Sequence, residues 1–157
     1  MNKNEYARSE NRAEPVTVEL LCEMYRNVTM GSENLATVVP KISGKFMLSN
    51  VTSQLEKYAD LTNRTEELLE KRAVKAEKPS AMKKLMSRGG IALNTVFDSS
   101  DEHIAEMIIK GTDMGADQLE NKLNEFKKNG SDSEAEKLCR EIIDYERSEA
   151  QKMKEYT

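Results

Sequence analysis

Residues 99–130 read SSDEHIAEMIIKGTDMGADQLENKLNEFKKNG, and this stretch carries the start, period and stop signals of one long helix. Its inner positions, Ile104, Met107/Ile108, Gly111, Met114/Gly115, Leu119, Leu123 and Phe126, step by three and four as in an amphipathic helix. Ser99-x-x-Glu102 reads as a capping box, in which hydroxyl and carboxylate each satisfy an orphan amide donor. Lys127-Lys128-Asn129-Gly130 closes the run, with cations at the negative helix end and a glycine suited to a left-handed cap. The spacing predicts a helix over 100–128.

The same signals extend outward in both directions. Downstream, Ser131-x-x-Glu134 and Ser133-x-x-Glu136 both fit a capping box. The last helix then carries Leu138/Cys139, Ile142, Tyr145, Glu149, Met153 and Tyr156 on one stripe. Upstream, the prolines punctuate: Pro15 suits the first turn of a helix over 15–39, Pro40 stops it, and Pro79 opens a helix of about 79–98. Between them, Met47, Val51, Leu55, Tyr58, Thr62, Thr65 and Leu69 predict a helix over 45–76. Residues 1–14 are nearly all polar and read as an N-terminal tail ahead of a single domain over 15–157. No segment alternates with period two, so the chain is expected to be all-α. The expected architecture is an antiparallel four-helix bundle, with 79–98 serving as a long crossover or a fifth helix.

Composition narrows the function classes. The 157 residues carry 24 Lys+Arg against 28 Asp+Glu, a net charge of −4 that argues against electrostatic nucleic-acid binding. Charged residues reach 33% and aromatics only 5%, which suits long solvated helices. Cys22 and Cys139 lie far apart, outside any zinc or disulfide spacing, which predicts a reducing, cytoplasmic setting. No apolar run approaches a membrane span, so no membrane partner is expected.

Few residues invite chemistry. His103 is the only histidine, and neither a Gly-x-Ser-x-Gly elbow nor a Cys-His pairing accompanies it. Of the nine methionines, those at core spacing, Met24, Met47, Met82, Met86, Met107, Met114 and Met153, read as core filler. Gly111-x-x-x-Gly115 predicts close approach of another helix, or, secondarily, room for a ligand, since each helical glycine costs about 1 kcal/mol against alanine. Bundles build di-iron or di-manganese centres from inward Glu and Glu-x-x-His pairs. The chain has no Glu-x-x-His, and its nearest approximation is Glu146-x-x-Glu149. Glu146, Glu149 and His103 are therefore the metal-ligand candidates, with iron or manganese as the metal.

The segments HIAEMIIKGTDMG (103–115), LLCEMYRNVTMGSENLATVVPKI, LSNVTSQLEKYADLTNRTEELL and EIIDYERSEAQKMKEY together resemble small ferritin-like proteins of Clostridia and related Firmicutes, near the spore-coat-F-like group. The resemblance implies a ferritin-like bundle and carries no established activity. Where many such proteins place a histidine after an acidic pair, this chain reads Glu146-Arg147-Ser148, which argues against a ferroxidase centre. The expected function is thus a non-enzymatic structural or interaction protein that self-associates, because adjacent apolar pairs such as Ile108-Ile109 and Ile142-Ile143 widen the buried faces. A metal-binding oxidoreductase or storage protein with a degenerate site is the alternative. A spore- or stress-related role comes third.

Overall fold

The computed structural model describes residues 3–77, 100–130 and 132–157, with the side chains of 3–13 left out of the description. The expected helix at 79–98 lies outside these residues, as do Ser99 and Ser131. Four long helices account for the described fold, and among the described residues there is no strand. They are α1 (Lys3–Val38), α2 (Lys45–Glu70), α3 (Asp101–Asn129) and α4 (Ser133–Met153), with short 3-10 turns at Val39–Lys41 and Lys154–Tyr156.

Helix α1 starts at Lys3 and carries Pro15 in its interior rather than at its first turn. Pro40 behaves as expected, sitting in the 3-10 turn that ends α1. Two caps differ from expectation. The hydroxyl of Ser100 caps α3 by accepting the His103 amide at 3.3 Å, one residue on from the expected cap position. The carboxylate of Asp132 caps α4 by accepting the Ala135 amide at 2.9 Å. An aspartate does this better than a neighbouring serine because its charge also favours the positive helix start. Gly130 is extended (φ −153°) rather than left-handed, and its amide donates to the Phe126 carbonyl at 2.8 Å. A side chain there would meet the Phe126 ring at 3.2 Å, which explains the glycine without a left-handed cap.

Helix α2 stops at Glu70, short of the expected 76. The amides of Ala73 and Val74 reach back to the carbonyls of Glu70 (2.9 Å) and Leu69 (3.0 Å), the bond pair of a Schellman end. Ala73 occupies the left-handed position at φ 56°. Glycine normally takes that place, so nothing in the sequence announced the stop. The strain on an alanine there is about 1 kcal/mol. Ala73→Gly is accordingly expected to raise stability by about 0.5–1 kcal/mol in a denaturant titration. An unchanged or lower midpoint would mean that the left-handed turn is not maintained in solution.

Side-chain ties between helix ends set the topology. Asp101, opening α3, accepts the amides of Ser43 (2.8 Å) and Gly44 (2.7 Å) just before α2. A side chain at 44 would lie 2.8 Å from that carboxylate, so the glycine admits the contact. At the other end, Arg72 follows α2 and pairs with Glu14 of α1 and with Asp132 at the start of α4. Helices α2 and α3 therefore start at the same end and run parallel, with α1 and α4 antiparallel to them. The chain leaves α2 at one end and enters α3 at the other. Helix α1 packs mainly on α2 and α3, and α4 mainly on α3.

The core is one apolar cluster fed by all four helices. Its α2 stripe turns through Leu61 and Leu68, both buried, whereas the expected Leu55 and Thr62 are half-buried. Stepping by three from Tyr58 rather than by four reaches Leu61. Buried Thr29 and Thr65 satisfy their hydroxyls on the carbonyls of Tyr25 and Leu61, both at 2.7 Å. The adjacent apolar pairs Leu20-Leu21 and Ile142-Ile143 are buried within the single chain, because each helix of such a bundle faces more than one neighbour. Outside the core, Arg64 grips Glu141 through both guanidinium nitrogens (2.8 and 2.6 Å), tying α2 to α4. That contact pulls the Glu141 carboxyl down to about 2, and both side chains remain more than a third exposed.

Candidate functional site

The α3 face that the sequence assigned wholly to the core divides in two. Ala105, Ala116, Leu119 and Leu123 are buried, whereas Gly111 and Met114 are exposed and Met107 is intermediate. The latter, with Gly115, line a cleft of about 380 Å³ between α1 and α3. Met30 and Gly31 contribute from α1, while Tyr58 of α2 and Glu146 of α4 reach the same space. This volume falls in the range of small-molecule sites. Met114, 53% exposed, is thus a cleft residue and not the core filler that its spacing suggested, and Met30, 37% exposed, joins it from α1.

Glycines on two helices make the arrangement possible. A side chain at Gly31 would meet the Tyr58 ring at 3.0 Å, so the glycine lets that ring lie against α1. One at Gly115 would meet the Asn27 amide nitrogen at 2.8 Å and Glu146 Oε2 at 3.3 Å. One at Gly111 would meet nothing within 4 Å. Of the paired glycines, Gly115 therefore admits close neighbours, as expected, and Gly111 faces open space.

Glu146 is only 2% exposed. Its Oε2 accepts from Asn27 Nδ2 at 3.3 Å and its Oε1 from the Tyr58 hydroxyl at 3.1 Å. Both donors are uncharged. Arg147, the adjacent cation, is exposed and pairs with Asp117. Burial outweighs the two hydrogen bonds and pushes the Glu146 carboxyl up to about 7. Burial and the Glu146 charge hold the Tyr58 hydroxyl well above the usual phenol range, so it stays a donor. Tyr145 stands edge-on to Tyr58, with ring centroids 6.0 Å apart. The other amide atom of Asn27, Oδ1, is buried without a hydrogen-bond partner among the described residues.

The three residues expected as metal ligands take separate roles. Glu146 faces the cleft, Glu149 is buried but pairs with Lys152 at 2.8 Å, and His103 stands in the first turn of α3 with its Nδ1 3.9 Å from Glu106. Among the described residues no group of three or more His, Cys, Asp or Glu side chains is placed to hold a metal ion. One carboxylate flanked by a phenol and an amide does not fit a binuclear iron or manganese centre. Cys139 is buried, and burial pushes its thiol up to about 12, so at neutral pH it is a packing group and not a nucleophile.

Glu146 was visible in the sequence as an inward acid. Its partners Asn27 and Tyr58 were not, because they lie 119 and 88 residues away along the chain. Helix-interior glycines at 31, 111 and 115 were the one available sign of the cleft.

Among the described residues, fold and site define four packed helices with a largely apolar cleft that has a buried acid in its lining. Among the described residues no helix is long and apolar enough to cross a membrane. Comparison with protein-family models, curated proteins and solved structures found no match to this chain.

Proposed function

We propose that this chain is a non-enzymatic binding protein, a ferritin-like helical bundle that has exchanged a metal centre for a cleft receiving one small, largely apolar molecule. The observation that carries this reading is the cleft itself: about 380 Å³, with Gly111 open onto it and Met30, Met107, Ile108 and Met114 on its walls. The parallel course of α2 and α3, required by the Asp101 and Arg72 contacts, supports the ferritin-like part, since such bundles contain one long crossover. A cytoplasmic setting agrees with two free thiols.

A neutral apolar fluorophore such as N-phenyl-1-naphthylamine tests the reading. Saturable, one-to-one fluorescence enhancement is expected for the wild type and its loss in Gly111→Leu, whose side chain would grow into open space on the cleft lining. Equal enhancement in both proteins, or none in either, would remove the cleft as a binding site.

Self-association is a second reading, supported by the apolar side chains left in solvent at Phe46 (77% exposed) and at the cleft rim. Sedimentation equilibrium is expected to show a dimer that Phe46→Lys weakens. A strict monomer at all concentrations would end it.

A further inference from the structure

The occupant of the cleft is constrained by charge as well as by shape. Glu146 is the one charged side chain lining it among the described residues, and the rest of the lining is apolar or neutral. A buried carboxylate is strongly disfavoured without a cation or a proton. Among the described residues no lysine, arginine or histidine supplies the cation from any packed element. Helix α1 brings Asn27, α2 brings Tyr58, and α3 brings Gly115. On its own helix, Arg147 is drawn to Asp117, Glu149 to Lys152, and Tyr145 and Cys139 are neutral groups whose ionisation is disfavoured. The buried Asn27 Oδ1 adds an acceptor without a donor. Two acceptors thus wait beside an apolar wall, and an ammonium group has hydrogens for both.

We infer that the ligand of this cleft is an organic monocation, an amine head on a short apolar body, whose ammonium group meets Glu146. This rests on the cleft being a binding site, and it goes further by naming the chemistry that selects the occupant. The wall of methionine, isoleucine and leucine suits an organic cation better than a hydrated metal ion, because it offers hydrocarbon contact and Glu146 is the one carboxylate in the lining among the described residues. Binding is coupled to protons: around neutral pH the folded protein without ligand carries a partly protonated Glu146, and an incoming ammonium expels that proton.

The test is competition against N-phenyl-1-naphthylamine by n-hexylammonium, 1-hexanol and hexanoate, in the wild type and in Glu146→Gln. At about pH 8 the ammonium is expected to displace the probe at least about tenfold more tightly than the alcohol, the worth of a charge-assisted hydrogen bond in a desolvated site, with hexanoate weakest. Glu146→Gln is expected to bring ammonium and alcohol to within about twofold while still binding the probe, which separates recognition from folding. Calorimetry in buffers of different ionisation enthalpy is expected to show proton release when the wild type takes the amine near pH 7, and none for the variant. Equal competition by amine and alcohol in the wild type would overturn the cation inference and leave the cleft standing. Failure of the probe itself to bind would overturn both, and an amine preference retained in Glu146→Gln would assign the recognition to another group.

Discussion

Glu146→Gln is expected to stabilise the protein at about pH 8 by roughly 3 kcal/mol and to change it little at about pH 4. The direction follows from the raised carboxyl value, about 7 in the folded chain against 4.5 as the ordinary one. Below the ordinary value both folded and unfolded chains hold the proton and the residue contributes no pH-dependent term. Between the two values the unfolded chain ionises first, so stability falls as pH rises. Above about 7 the folded chain carries the full cost of a buried charge. A glutamine imitates the protonated acid at every pH. For a chain of this size the gain corresponds to about 5–10 °C in melting temperature. Thermal melts of both proteins across this range are the check. Parallel curves would mean that Glu146 is not buried as a charge. An acid whose removal stabilises the fold is retained against stability, the pattern expected where a side chain serves binding.

Leucines at the two α3 glycines should act in opposite directions. Gly115→Leu is expected to cost about 2–3 kcal/mol, because its first carbon already meets the Asn27 amide at 2.8 Å and the Glu146 carboxylate at 3.3 Å. Gly111→Leu is expected to gain about 0.5–1 kcal/mol, the helix propensity returned by replacing a glycine whose side-chain direction is open. Urea titrations read both effects. Similar losses at both positions would indicate that the cleft is closed by packing, and similar gains would indicate that Gly115 does not abut α1 and α4.

The elements were legible to the degree that local chemistry marks them. Pro40, the apolar period and the polar Ser-Ser-Asp and Ser-Asp-Ser breaks placed α1, α3 and α4 to within a turn at most ends, since helix stop and start signals act over a few residues. Ala73 lacks the glycine that would have announced the end of α2, and Pro15 is tolerated inside α1 where the rule places it at the first turn. Direction was not legible, because whether α3 runs parallel to α2 depends on Asp101 meeting Ser43 and Gly44 from across the chain. The site was half legible for the same reason. Periodicity brought Glu146 inward, but only the rotation of α1 and α2 about their axes decides that Asn27 and Tyr58 meet it, and no local signal encodes that rotation. Met114 was misassigned because a methionine at core spacing looks the same whether a facing helix packs against it or a cleft lies beside it.

A carbon-detected NMR titration of the Glu146 carboxyl, assigned by its absence in Glu146→Gln, tests the central claim most directly. A midpoint near 7 that moves down when n-hexylammonium is added is expected. A midpoint near the ordinary 4.5, unmoved by the amine, would contradict it.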